Sequence, residues 1–184
     1  MTEQTESTYP GVTPDPAQIP SDDWNIPTPD TTPSSPSSDD TAWAAIAHGS
    51  AIITVLLGIL TGGALCLIGP LVPLVIWLVF REKSKYVAKH ALQATVFQAA
   101  VIVATALIGA LGLVLVVLAW VATAALMAGF VGFCLIPVAL VLTLLWVIVV
   151  LGLPVAALVY AGYAAYEVAE GRDFRYWLVG NWVD

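Results

Sequence analysis

The chain has 184 residues, of which 59% are hydrophobic and only 10% charged, with a mean hydropathy of +0.89. A soluble domain is nearer a quarter charged, so this polypeptide is built mainly for a bilayer. Six Lys and Arg in all, against a net charge of −7, argue against a nucleic-acid-binding surface.

The acidity belongs to one segment. Residues 1–40 hold eight Asp and Glu, eight Pro, thirteen Ser and Thr, and no Lys or Arg. Such a composition buries too little apolar surface to offset its ordering entropy. The expectation is a disordered, acidic tail of polyproline II character. It has no basic n-region followed by an apolar h-region, so it does not read as a secretory signal. Trp24-Asn25-Ile26 is its one apolar spot.

Asp40-Thr41 offers a helix N-cap, and Trp43 sits where an interfacial aromatic belongs. From there the spacing predicts span one over 43–60, a turn at Thr61-Gly62-Gly63, and span two over 64–80, kinked by Pro70 and Pro73. The two form a helical hairpin. Residues 81–89 then carry four of the six basic side chains, Arg81, Lys83, Lys85 and Lys89. Beyond them, residues 90–169 would make some 120 Å of helix at ~1.5 Å per residue, enough for two long spans or three short ones. The strongest break is Gly129, Gly132 and Pro137, giving span three at 88–127 and span four at 137–168 with Pro154 as a kink. Cys66 and Cys134 lie in apolar runs and read as buried small hydrophobes.

Charge arbitrates the span count. Positive residues near span ends are retained on the cytoplasmic side, and the two remaining ones are Arg172 and Arg175, just after the last span. Four spans put both basic clusters on one face. The expected architecture is all-α: an integral membrane four-helix bundle of two hairpins over 42–180, preceded by the disordered N-terminal tail. Both termini and the 81–89 connector face the cytoplasm, and Arg81, Lys83, Lys85, Lys89, Arg172 and Arg175 anchor the topology.

Spaced motifs carry a family resemblance. Trp43 with Ala47-His48, Gly69-Pro70-Leu71, the basic connector with His90-Ala91, Ala94 and Phe97-Gln98, and a closing Ala169, Gly171 and Phe174-Arg175-Tyr176-Trp177 recur in order. This succession resembles a four-span prokaryotic membrane-protein family catalogued as a domain of unknown function. Its superfamily is similar to the membrane component of the chloroplast inner-envelope protein translocon. Thr95-Val96 replace that family's Leu-Asn, and Trp177 its Pro. The resemblance implies fold and membrane location, and no reaction.

Polar groups inside spans are costly and therefore functional candidates. His48, His90 and Glu167 fall in one layer of the cytoplasmic leaflet, with Gln98 two turns deeper than His90. Two readings of this cluster stand: a proton-sensitive or ion-binding group, or contacts that fix helix register. Two histidines without a third close ligand make a weak metal signal, and neither a cofactor motif nor a catalytic constellation is present in the sequence. Gly58–Gly62 forms a GxxxG, and Ala157, Ala161 and Ala165 a small-residue row, suited to packing within the chain, between copies of it, or against another membrane protein. The expected role is a non-enzymatic accessory or scaffold component of the cytoplasmic membrane. The alternative is a translocation or transport component, for which Gln98, Thr105, Thr123 and Thr143 would have to line a polar path.

Overall fold

The computed structural model describes residues 35–177. The tail expected over 1–40 therefore lies outside the described residues up to Ser34. The remainder is helical, with no strand among the described residues. It is an all-α membrane bundle.

The first helix starts earlier than Asp40-Thr41 would suggest. Helix α1 spans Ser38–Gly49, capped by Ser37, whose hydroxyl accepts from the Asp40 backbone N–H at 3.1 Å. Asp39 and Asp40 then occupy the first turn, where carboxylates complement the helix dipole. Helix α2, Ala51–Leu60, continues α1 through Ser50 to make one apolar rod, Ser38–Leu60. Gly62 and Gly63, both at positive φ (+62° and +92°), turn the chain into a short 3-10 turn at Cys66–Ile68. Gly62 thus lies outside the helix, so Gly58–Gly62 is not a helix-packing GxxxG.

Helix α3, Leu71–Phe80, begins after Pro70. Neither Pro70 nor Pro73 kinks a helix, because both sit at its start, where the first-turn N–H groups have no intrahelical acceptor to lose. Ser84 caps α4, accepting from the Val87 N–H at 3.3 Å, and α4 runs unbroken over Lys85–Ala125. Gly109 and Gly112 do not interrupt it. The turn comes at Met127–Phe130, and α5 covers Val131–Ala169 with Pro137 and Pro154 inside it. The break therefore precedes Pro137. Gly132 explains why: a Cβ there would lie 2.9 Å from Met127 Cα, so the glycine serves the tight turn and the helix resumes at once.

Three helices, Ser38–Leu60, Lys85–Ala125 and Val131–Ala169, are long and apolar enough to cross a membrane, and Cys66–Phe80 is a shorter apolar segment. Helices α4 and α5 pack on each other, α1 packs on both, and α3 packs on α4. The closest packing gathers at one end of the bundle. There Ala47, Ile76, Val87, Ala91 and Ala94 join α1, α3 and α4, while Ala51, Phe97, Ala161, Ala164 and Tyr176 join α1–α2, α4, α5 and the segment after it. Small residues let the backbones approach; Ala161 is spent inside the chain in this way. Cys134, expected to be buried, is exposed on α5, and Cys66 is half-buried. An apolar face turned to lipid accepts a small thiol as readily as a core does.

Candidate functional site: a buried histidine pair closed by a returning segment

The site begins with a helix ending. Glu170 caps α5, and Gly171 follows at φ +76°. The Gly171 N–H donates to Val168 O and the Arg172 N–H to Glu167 O, both at 3.0 Å, which is the Schellman pairing. The left-handed glycine reverses the chain and sends residues 172–177 back onto the bundle.

Tyr176 is the consequence. Only 1% exposed, it stacks on Phe97 (4.1 Å between centroids, 6° between planes) and meets Tyr160 and Phe174 edge-on. Burial raises the Tyr176 phenol well above its ordinary range, so it keeps its proton, which we assign to the 3.0 Å hydrogen bond with His48 Nδ1. His48 Nε2 lies 3.3 Å from His90 Nδ1. His90 Nε2 faces Asp173 Oδ1 at 3.6 Å. With the phenol as donor, the proton count follows. His48 then accepts at Nδ1 and donates from Nε2 to His90 Nδ1, and the N–H left on His90 Nε2 is directed to the half-exposed Asp173 carboxylate without a direct hydrogen bond to it. Both imidazoles are fully buried. Tyr86 adds an edge contact to His90 at 4.6 Å.

His48 and His90 thus meet, drawn together by α1 and α4. Glu167 sits elsewhere. The stripe of α5 turned inward is Ala161, Ala164 and Val168, and Glu167, one position off it, pairs with Arg172. That pairing raises the guanidinium's pKa further. The carboxylate facing the histidines is instead Asp173, delivered by the returning segment. Gln98 forms a second, separate layer. Its Oε1 accepts from Thr54 Oγ1 at 2.6 Å, its Nε2 donates to Ser50 Oγ at 3.0 Å, and the Ser50 hydroxyl donates to Ala47 O at 2.7 Å. This layer stitches the α1–α2 joint to α4.

The basic residues gather at the same end. Lys89 and Arg175 both reach Asp173 Oδ2, at 3.5 and 3.6 Å. Arg81 pairs with Glu82 at 3.6 Å, Lys83 lies over the Phe80 ring, and Lys85 opens α4. Trp43 packs against Phe80 at 5.3 Å. Thr123 and Thr143 donate to carbonyls of their own helices, Ala119 O and Ala139 O, at 2.7 Å, so they offer no lining for a polar path.

Sequence reasoning missed Tyr176 and Asp173. The signal was there in Glu170-Gly171-Arg172, a helix stop with a left-handed residue, followed by Phe174, Tyr176 and Trp177. So many aromatics directly after a stop need somewhere to be buried.

The sequence model of the magnetosome magnetite crystal formation protein family matches residues 39–183, which takes in every helix and the returning segment. The chain belongs to that family. This corrects the resemblance to the four-span family of unknown function and to the chloroplast translocon superfamily. The motifs behind that resemblance are the ones that build the layer and its joints: His48, His90, Gln98 and the Gly69-Pro70 turn. Neither among curated proteins nor among solved structures is there a match to the chain.

Proposed function

We propose that the chain is an integral membrane accessory protein acting in magnetite crystal formation, seated in the magnetosome membrane and turning over no substrate itself. The observation that carries this reading is the family match across the entire helical part. The geometry supports it. The histidines that would make the best acid-base or ligand groups are fully buried and turned on one another, as suits a group that fixes a scaffold. Its partners are the surrounding lipid and other membrane proteins. The basic cluster at 81–89 with Arg172 and Arg175 supports a cytoplasmic orientation for that end of the bundle.

Removing the chain from a magnetosome-forming cell is expected to alter crystal size or shape, seen by electron microscopy, while the enclosing vesicles persist. Complementation with the wild-type chain restores the crystals. Unaltered crystals in the deletion strain would overturn the proposal.

A further inference from the structure

Where the α1–α2 rod stops at Leu60, α4 and α5 continue, and the step between them leaves a cleft of about 790 Å³. That is within the ~300–1,000 Å³ of small-molecule sites. Its walls are apolar: Val55 and Gly58 from α2, Val101 and Ile102 from α4, Pro154 and Leu158 from α5. Gly62 and Gly63 stand at its rim, with no heavy atom within 4 Å of where a Cβ would project.

Three polar side chains touch the cleft, Thr54, Gln98 and Thr105, among walls that are otherwise apolar. Thr54 and Gln98 are hydrogen-bonded to each other, and Gln98 also to Ser50. The Thr105 hydroxyl is buried and has no hydrogen-bond partner. An occupant therefore meets at most one unpartnered hydroxyl, itself buried, too little to offset the desolvation of a headgroup or a polar substrate. The cleft also lies between helices long and apolar enough to cross a membrane, so the medium at its mouth is hydrocarbon. Dry apolar space of this kind takes an apolar filler in place of water.

We infer that the cleft is a binding site for one acyl chain of a bilayer phospholipid, held between α2, α4 and α5 as a structural lipid. The chain lies along Val101 and Leu158, with its glycerol end outside the cleft. The inference stands apart from the role in magnetite formation.

Native mass spectrometry of the full chain, purified in mild detergent, tests it. The wild type is expected to retain one phospholipid after the micelle is stripped. Ala106→Trp and Val155→Trp project into the cleft from opposite helices. Each should lower the lipid-bound fraction roughly tenfold, the factor that about 1.4 kcal/mol represents. Leu107→Trp, on the outer surface of α4, should leave the fraction unchanged. Independently of any variant, a phospholipid with a diazirine on its acyl chain, washed by detergent exchange before irradiation, should remain crosslinked at Val101 and Leu158. The inference is overturned by a wild type that carries no lipid, by equal loss in Leu107→Trp, by a dimer in place of the lipid, or by washed crosslinks confined to exposed residues.

Discussion

Tyr176 couples two kinds of contact that substitution can separate. Its ring stacks on Phe97 and its hydroxyl supplies the proton that His48 Nδ1 accepts. Tyr176→Phe keeps the ring and strands the buried imidazole nitrogen, so unfolding in detergent should show a loss of about 1–3 kcal/mol. Tyr176→Ala removes the ring as well and should cost more, about 3–5 kcal/mol for a deleted core aromatic. Equal effects would mean that the hydroxyl contributes nothing. Gly69 is the second residue on which much depends. A Cβ there would fall 2.6 Å from Thr54 Cα, so Gly69→Ala forces α2 from the turn before α3 and should cost roughly 1–3 kcal/mol. Gly152, with open space around it, is the control. Gly152→Ala should be neutral or stabilising by up to ~1 kcal/mol on helix propensity.

At the scale of elements, α4 and α5 pose a problem of length. Forty-one residues at ~1.5 Å each make ~60 Å, about twice the ~30 Å hydrocarbon core. The two helices are fastened through that excess length by indole donors. Trp146 Nε1 donates to Gly109 O at 2.9 Å and Trp120 Nε1 to Thr143 Oγ1 at 3.0 Å. Gly112 lets the Trp146 ring lie flush against α4. Gly112→Ala should therefore destabilise the hairpin by overpacking, and less so in a Trp146→Phe background, where the facing ring is smaller. A double-mutant cycle by detergent unfolding reads this coupling, and strict additivity would show that the two positions do not touch. The apolar runs made the long helices legible in the sequence, because stretches of Leu, Val and Ala that long have few other solutions in lipid. Their ends were less legible. Gly129, Gly132 and Pro137 all signal a break, and only packing decides that Gly132 serves the turn while Pro137 is carried inside α5. The histidine pair was legible from depth and topology. Asp173 was not, since its approach depends on the reversal at Gly171 and on nothing periodic.

For the molecule as a whole, the two basic clusters share one end, as the Lys89–Asp173 and Arg175–Asp173 contacts require. Neutralising Arg81, Lys83, Lys85 and Lys89 together should scramble orientation in the membrane, scored by labelling cysteines introduced near Ser37 and at Gly63. A uniform orientation in that variant would transfer the topological signal to Arg172 and Arg175. The acidic N-terminal segment should matter little to the bundle. Ser37 already supplies the cap of α1, so deleting residues 1–34 is expected to leave the melting profile in detergent unchanged, and a large drop would show that the segment docks.

The central structural claim is that a returning segment seals the bundle through Tyr176, His48 and His90 in one fixed pattern of protons. The chain contains only two histidines, so the nitrogen-15 spectrum of imidazole-labelled protein in lipid reports on these two rings alone. Two distinct imidazoles are expected, each protonated at Nε2 and unprotonated at Nδ1, with the His48 signals displaced in Tyr176→Phe. Two equivalent, freely exchanging imidazoles unaffected by that substitution would contradict it.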